Sequence, residues 1–285
     1  MSNATSPPAS SPSAEHAEPA YPVFSLHRGS LPLLVSLPHV GTAVPADVAA
    51  RLVPRALAVE DTDWHLDEVY AFARGLGASV LVPRYSRYAI DLNRPPENAP
   101  MYPGVNNTEL VPTRFFTGEP LYRKGHEPDA ADVARRLALY WRPYHDALAG
   151  ELGRLHAGHG HAVLWDGHSI QAELPWLFDG RLPDLNLGTA NGASAAPALR
   201  ASLMRVLAAQ AGFSHVTDGR FKGGYITRFY GRPHQGVHAV QLEKCWSCYM
   251  DDAGGAAPEP ERMARLQPVL RALLQATLDW RPDAA

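Results

Sequence analysis

The sequence predicts an α/β domain, a mixed central sheet flanked by helices. Three observations lead there. Short apolar runs bounded by Gly- and Pro-rich segments recur at 33–37, 79–82, 162–165 and 237–242, the pattern of buried strands. Longer stretches between them carry apolar residues at three- and four-residue spacing, the helical period. Strands alternating with helices indicate a sheet covered on both faces. With 285 residues, 46% of them hydrophobic, the chain can fill one full core. No internal repeat and no strong boundary divides it, so residues 23–285 are expected to form a single catalytic domain.

The elements follow in order. Residues 1–22 are rich in Ser, Ala and Pro and read as a disordered tail without the apolar core of a secretory signal. Leu33–Leu37 is the first core strand, and 45–52 a short helix. Asp61-Thr62-Asp63 is placed to cap a helix from Trp64 to Leu76, with Leu66, Val69, Tyr70, Ala73 and Leu76 on one face and Gly75 and Gly77 ending it. Ser79–Val82 and Tyr88–Leu92 read as strands, the second ending in Asn93-Arg94. The Pro-rich stretch 95–120 is a long loop expected to wall the active site. Residues 128–156 form the longest helix, kinked at Pro143. Ala162–Trp165, Leu185–Gly188, His215–Thr217 and Val237–Leu242 are further strands. Helices cover 196–211 and 259–278.

Bulk properties exclude several classes. A net charge of −3 argues against a nucleic-acid partner, which requires a basic face. No apolar run approaches the roughly 20 residues of a membrane span. Cys245 and Cys248 are too few for a disulfide framework or a four-cysteine zinc site. They read as reduced, partly buried thiols of a cytoplasmic protein. His156, His159 and His161 sit in a Gly-rich segment and read as solvated.

The chemistry gathers where strands stop. Ala162–Trp165 ends in Asp166-Gly167-His168-Ser169, Leu33–Leu37 in Pro38-His39, and Val237–Leu242 in Glu243. In open α/β sheets, ligands bind just past the carboxyl ends of strands. Imidazoles and carboxylates converging from separate strands suit a zinc ion with an open coordination position, although Co, Mn or Fe accept the same donors. His39 and His168 are the first two ligands. The third comes from Glu60-Asp61-Thr62-Asp63-Trp64-His65; Asp63 is chosen at the helix start, where the dipole favours a carboxylate, with Glu60, Asp61 and His65 as alternatives. Glu243 is the general base, since a lone Glu ending an apolar strand is costly to bury unless functional. Asp166 is placed to orient a ligating His through its other ring N–H. Arg94 and Arg228 suit an anionic substrate. Gly223 and Gly224 permit close backbone approach to it.

Together, Ser36–Thr42, Glu60–Asp67, Asp91–Arg94, Leu164–Ser169, Phe221–Arg228 and Val240–Glu243 resemble, in order, the motifs of the N-formylglutamate amidohydrolase family, across about residues 23–278. The resemblance implies a fold similar to zinc carboxypeptidases and aspartoacylases. It also implies hydrolysis of N-formyl-L-glutamate to formate and L-glutamate, the last step of histidine degradation. A related metallo-amidohydrolase acting on another N-acyl amino acid or amide is the alternative. In that wider superfamily a His-x-x-Glu pair and a later His hold zinc. Here the third position after His39 is Thr42, so Asp63 is the expected substitute. The superfamily's carboxylate-gripping Asn-Arg pair matches Asn93-Arg94, and its catalytic Glu matches Glu243.

Overall fold

β4 (Ala162–Ile170) and β7 (Val237–Cys245) pair in parallel over nine residues and form the centre of the sheet. The computed structural model describes residues 22–101, 106–252 and 257–282. Around this centre lie β1 (Phe24–His27), β2 (Leu33–Ser36), β3 (Ser79–Pro83), β5 (Leu185–Gly188) and β6 (His215–Thr217). Among the described residues the order across the sheet is β1-β3-β2-β4-β7-β5-β6. Strands β3, β2, β4 and β7 run parallel, whereas β1 joins β3 and β5 joins β7 antiparallel. The sheet is therefore mixed. Among the described residues the α-helices are α1 (Ala46–Ala49), α2 (Leu66–Val69), α3 (Phe72–Gly75), α4 (Ala130–Arg136), α5 (Arg142–His159), α6 (Pro197–Ala209), α7 (Tyr225–Tyr230) and α8 (Pro260–Asp279).

The two-residue period of the strands divides the core. Val35, Val163, Trp165, Val240 and Leu242 pack on one face with Leu66 of α2, Ala73 of α3, Leu203 of α6 and Leu270 of α8. Leu34, Leu164 and Ala239 pack on the other with Tyr144, Leu148, Leu152 and Leu155 of α5 and Ile226 of α7. Each large side chain contributes about 1.5–3 kcal/mol when buried. A one-residue slip would exchange the faces, so the pattern fixes the register.

This register places the site. Along β4 the second face carries Ala162 and Leu164, then Asp166 and His168. Their partners on β7 are Val237, Ala239, Gln241 and Glu243. The same face is thus apolar at its start and polar at its carboxyl end.

Several elements differ from the sequence expectation. β4 and β7 run on to Ile170 and Cys245, so His168 and Glu243 lie within strands rather than past their ends. Mutual pairing satisfies both backbones through the polar residues. Tyr88–Leu92 is a buried turn. The carbonyl of Ala89 accepts from Arg136 at 3.0 Å and that of Leu92 from His145 Nε2 at 2.9 Å, so side chains replace a strand ladder. β1 was not expected; it is a four-residue edge strand with alternating exposure. The helix expected over 64–76 is two short helices, broken where Tyr70 accepts from Trp165 Nε1 at 2.9 Å. Its amino end is His65, at φ 57°, with no side-chain cap, so neither Asp61 nor Asp63 caps it. Before Pro143 the long helix passes through a π turn over Leu137–Trp141, which absorbs the missing proline N–H. His161 is buried, its ring edge-on to Trp280, rather than solvated. Both cysteines are free and buried. Except for Pro22, the expected tail lies outside the described residues, as do 102–105 of the long loop. Among the described residues no helix is long and apolar enough to cross a membrane.

Candidate active site

His39 follows β2 by three residues, and His168 stands on neighbouring β4. Their rings lie 4.9 Å apart. The Asp63 segment is tied to this edge by its own N–H, which donates to the His39 carbonyl at 3.1 Å. Asp63 Oδ2 then lies 3.2 Å from His168 Nδ1 and 3.6 Å from His39 Nδ1. It also accepts from the Ser169 N–H at 3.2 Å. One donor atom from each of the three buried residues falls within 4.8 Å of the others.

The other ring nitrogens face carboxylates. His39 Nε2 is 2.7 Å from Asp91 Oδ1, and His168 Nε2 is 3.1 Å from Asp166 Oδ2. An ionised carboxylate only accepts, so a cation beside Asp63 would be met by both Nδ1 atoms while the Nε2 atoms face Asp91 and Asp166. Carboxylate partners of this kind fix the tautomer and strengthen a ligating imidazole.

The electrostatics fit a cation. Asp63, Asp91, Asp166 and Glu243 are all buried here, against the buried cations Arg87 and Lys244. Carboxyl groups outnumber the buried cations here, which favours a bound cation. Without an ion, protons supply part of the charge. Burial disfavours charge on His168, yet Asp166, Asp63 and Glu243 hold its pKa well above the usual imidazole range. Burial likewise opposes ionisation of Asp63, but His39 and His168 hold its carboxyl below the ordinary range. The Asp166 Oδ1 atom is buried without a partner among the described residues. Two imidazole nitrogens and one carboxylate oxygen suit zinc-type coordination with a position left open.

Glu243 sits opposite His168 in the β4–β7 register and lines the same cleft. Burial pushes its carboxyl up, against the pull of His168, the direction that favours a group able to take and return a proton. The neighbouring Lys244 ammonium donates to the His168 carbonyl at 2.6 Å and lies over the Tyr70 ring.

The cleft beside these groups has a volume of about 80 Å³. Asn93 and Arg94 wall one side. Asn93 Nδ2 is 3.1 Å from His168 Nε2, and its Oδ1 accepts from the Ile226 N–H at 2.8 Å. Arg94 is held by the Thr108 carbonyl and hydroxyl and by the Asn93 carbonyl. Asn106, Asn107, Thr108 and Phe116 bring the long loop to this wall. Gly224 lies against Asn93, where a Cβ would come within 2.3 Å of its amide nitrogen. Its N–H donates to Gln241 Oε1 at 2.7 Å. Gly223, at φ 111°, adopts a conformation glycine tolerates, but does not line the cleft.

Arg228 is placed elsewhere. Its Nε donates to the Gly223 carbonyl at 2.8 Å, and it lines a separate groove with Asn191 and Ser194. The alternatives to Asp63 also point away. Glu60 pairs with Arg55, Asp61 accepts from the Tyr88 hydroxyl and the Phe116 N–H, and His65 faces Glu68.

Sequence reasoning gave no role to Asp91, Arg87, Arg220 or Gln241. Arg87 is buried in the cleft, pairs with Asp91 and lies 4.0 Å from Asp63 Oδ1. Its Nε has no partner among the described residues. The available signal was Asp91 itself, two residues before Asn93 in a motif already singled out. The arginines stand in turns, where no periodicity marks them.

A family profile described as N-formylglutamate amidohydrolase matches residues 31–250. The N-formylglutamate deformylase of Pseudomonas aeruginosa is 52% identical over 258 residues, covering 90% of this chain and 97% of that protein. That of Pseudomonas putida is 49% identical, covering 90% and 96%. The crystal structure of N-formylglutamate amidohydrolase from Ralstonia eutropha JMP134 superposes with a TM-score of 0.74 at 26% identity, over 90% of this chain and 97% of that one. Matches of this extent, spanning the segments that build the cleft, place the chain in the N-formylglutamate amidohydrolase family.

Proposed function

We propose that the protein hydrolyses N-formyl-L-glutamate to formate and L-glutamate, the last step of histidine degradation, as a cytoplasmic metal-dependent deformylase. The observation that carries this reading is the convergence of His39, Asp63 and His168 within 4.8 Å, in one cleft with Glu243, Arg87 and Arg94. The names of the Pseudomonas relatives supply the substrate. His39, Asp63 and His168 would hold the cation. Zinc suits these donors best, and Co, Mn or Fe are accepted by the same set. When bound, the cation supplies Lewis acidity toward water and the formyl carbonyl.

The protein's own groups do the rest. Glu243 takes the proton of the attacking water and returns it to the departing amine nitrogen, so one carboxyl serves as base and then acid. Arg87 offers a fixed positive charge toward the carbonyl oxygen as negative charge develops there. Asp91 and Asp166 hold His39 and His168 in the required tautomers. Asn93 and Arg94 receive a substrate carboxylate, and this anchoring sets the formyl carbon against the reacting groups.

Relative rates on N-formyl-L-glutamate, N-acetyl-L-aspartate and N-formimino-L-glutamate test the assignment. Preference for the first by orders of magnitude in kcat/KM is expected. Preference for either of the others reassigns the protein to a different amidohydrolase reaction.

A further inference from the structure

We propose that Arg220 is the specificity-determining residue that reads the distal carboxylate of the substrate, an assignment that rests on the deformylase reading above. A dicarboxylate needs two cationic contacts outside the reacting centre. Arg94 is one, adjacent in the chain to Asn93, whose side chain touches His168. The α-carboxylate is attached to the same carbon as the formylated nitrogen and must lie close to the centre. The distal carboxylate is two methylene groups further out.

Arg220 occupies that outer position. The cleft continues into an outer groove lined by Trp176 and Phe178, and the two share Asn106, Leu177 and Arg220. Arg220 therefore stands at the junction of inner cleft and mouth. Its Nη2 donates to the Leu177 carbonyl at 3.0 Å, and its guanidinium carbon lies 5.5 Å from the Phe221 ring centre. These contacts orient the group and reduce the entropy lost on binding. Ile170, Leu177 and Phe221 line the same cleft, apolar surface suited to the two methylenes. Arg228, the other arginine of this segment, opens onto a different groove. Discrimination against N-formyl amino acids without a side-chain carboxylate then follows from the charge-assisted contact to Arg220 that such substrates do not make.

The test compares two substrates on three proteins. N-formyl-L-norvaline keeps the α-carboxylate and replaces the distal carboxylate by a methyl group. For wild type, Arg220→Met and Arg220→Lys, kcat/KM is measured on this compound and on N-formyl-L-glutamate. Arg220→Met is expected to lose roughly 10- to 100-fold on N-formyl-L-glutamate, mainly through KM, the scale of one charge-assisted hydrogen bond. Its rate on N-formyl-L-norvaline is expected to stay within about twofold of wild type, since no contact to that compound is removed. Arg220→Lys is expected to recover part of the loss. Equal losses on both substrates, or no loss on N-formyl-L-glutamate, overturn the role of Arg220 alone. A wild-type protein that releases formate from neither compound overturns the deformylase reading, and this assignment with it.

Discussion

Asp91 Oδ1 accepts from His39 Nε2 at 2.7 Å and, at 2.8 Å, from the N–H of Asn93. One carboxylate thus orients a proposed metal ligand and fixes the turn that presents Asn93 and Arg94. Burial opposes its ionisation, but Arg87 and His39 hold its pKa well below the usual carboxylate range. Asp91→Asn keeps the shape and removes the charge. It is expected to weaken cation affinity by about 10- to 100-fold, as measured for comparable outer partners. Competition against a chromophoric chelator checks this. An unchanged dissociation constant would show that Asp91 serves the turn only.

Glu243→Gln removes the base and preserves volume. The cation and the fold should remain, while kcat on N-formyl-L-glutamate falls by about 10²- to 10⁴-fold. Metal content and formate release measured on the same preparation separate the two effects. A variant retaining near wild-type turnover would remove Glu243 from the reaction.

Gly224→Ala probes the packing of backbone against Asn93. The residue has φ −83°, so alanine introduces no backbone strain. The added Cβ would instead fall 2.3 Å from Asn93 Nδ2, forcing that side chain off His168 and off the Ile226 N–H. A misplacement of about 1 Å at such a site costs on the order of 100-fold in rate. Steady-state kinetics is expected to show that loss, together with a lower melting temperature from the broken Ile226 bond. Wild-type kinetics would mean that Asn93 has no part in positioning.

His145 links the α5 helix to the active-site turn and carries a pH dependence. Burial lowers its pKa to about 4, against the hydrogen bond to Leu92. In the unfolded chain the value is about 6.5. The folded value is the lower one, so the neutral ring contributes stability that is complete above about 6.5 and lost as pH falls toward 4. The loss amounts to roughly 3 kcal/mol at the lower end. His238, also lowered to about 4 by burial, adds to the same slope. Urea midpoints between pH 7.5 and 4 should fall less steeply for His145→Gln than for wild type. Parallel profiles would contradict the assignment.

The sheet was legible because β2, β4 and β7 are largely apolar runs that lead into His39, His168 and Glu243. The same simplicity concealed where those strands end: pairing along nine residues carries β4 and β7 past His168 and Glu243. Tyr88–Leu92 was misread because a buried apolar turn looks like a buried strand until Arg136 and His145 are seen to satisfy its carbonyls. His39, His168 and Glu243 were visible as strand-end residues. Asp63 was selected as a helix-start carboxylate, yet the structure brings it to the histidines through a main-chain bond to His39 and not through capping. Arg87 and Arg220 were not legible, since their approach to the cleft depends on loops that no local pattern encodes. Arg228 looked equivalent to Arg94 only because side-chain direction after a Gly-Gly pair cannot be read from spacing.

The most direct test of the central claim is a metal titration followed by formate release. Protein stripped by chelator is returned to zinc in steps, beside Asp63→Ala treated identically. The account predicts that stripped wild type releases no formate from N-formyl-L-glutamate and regains full activity at one equivalent of zinc, while Asp63→Ala does not recover. Full activity in the stripped protein, or equal recovery in Asp63→Ala, would contradict it.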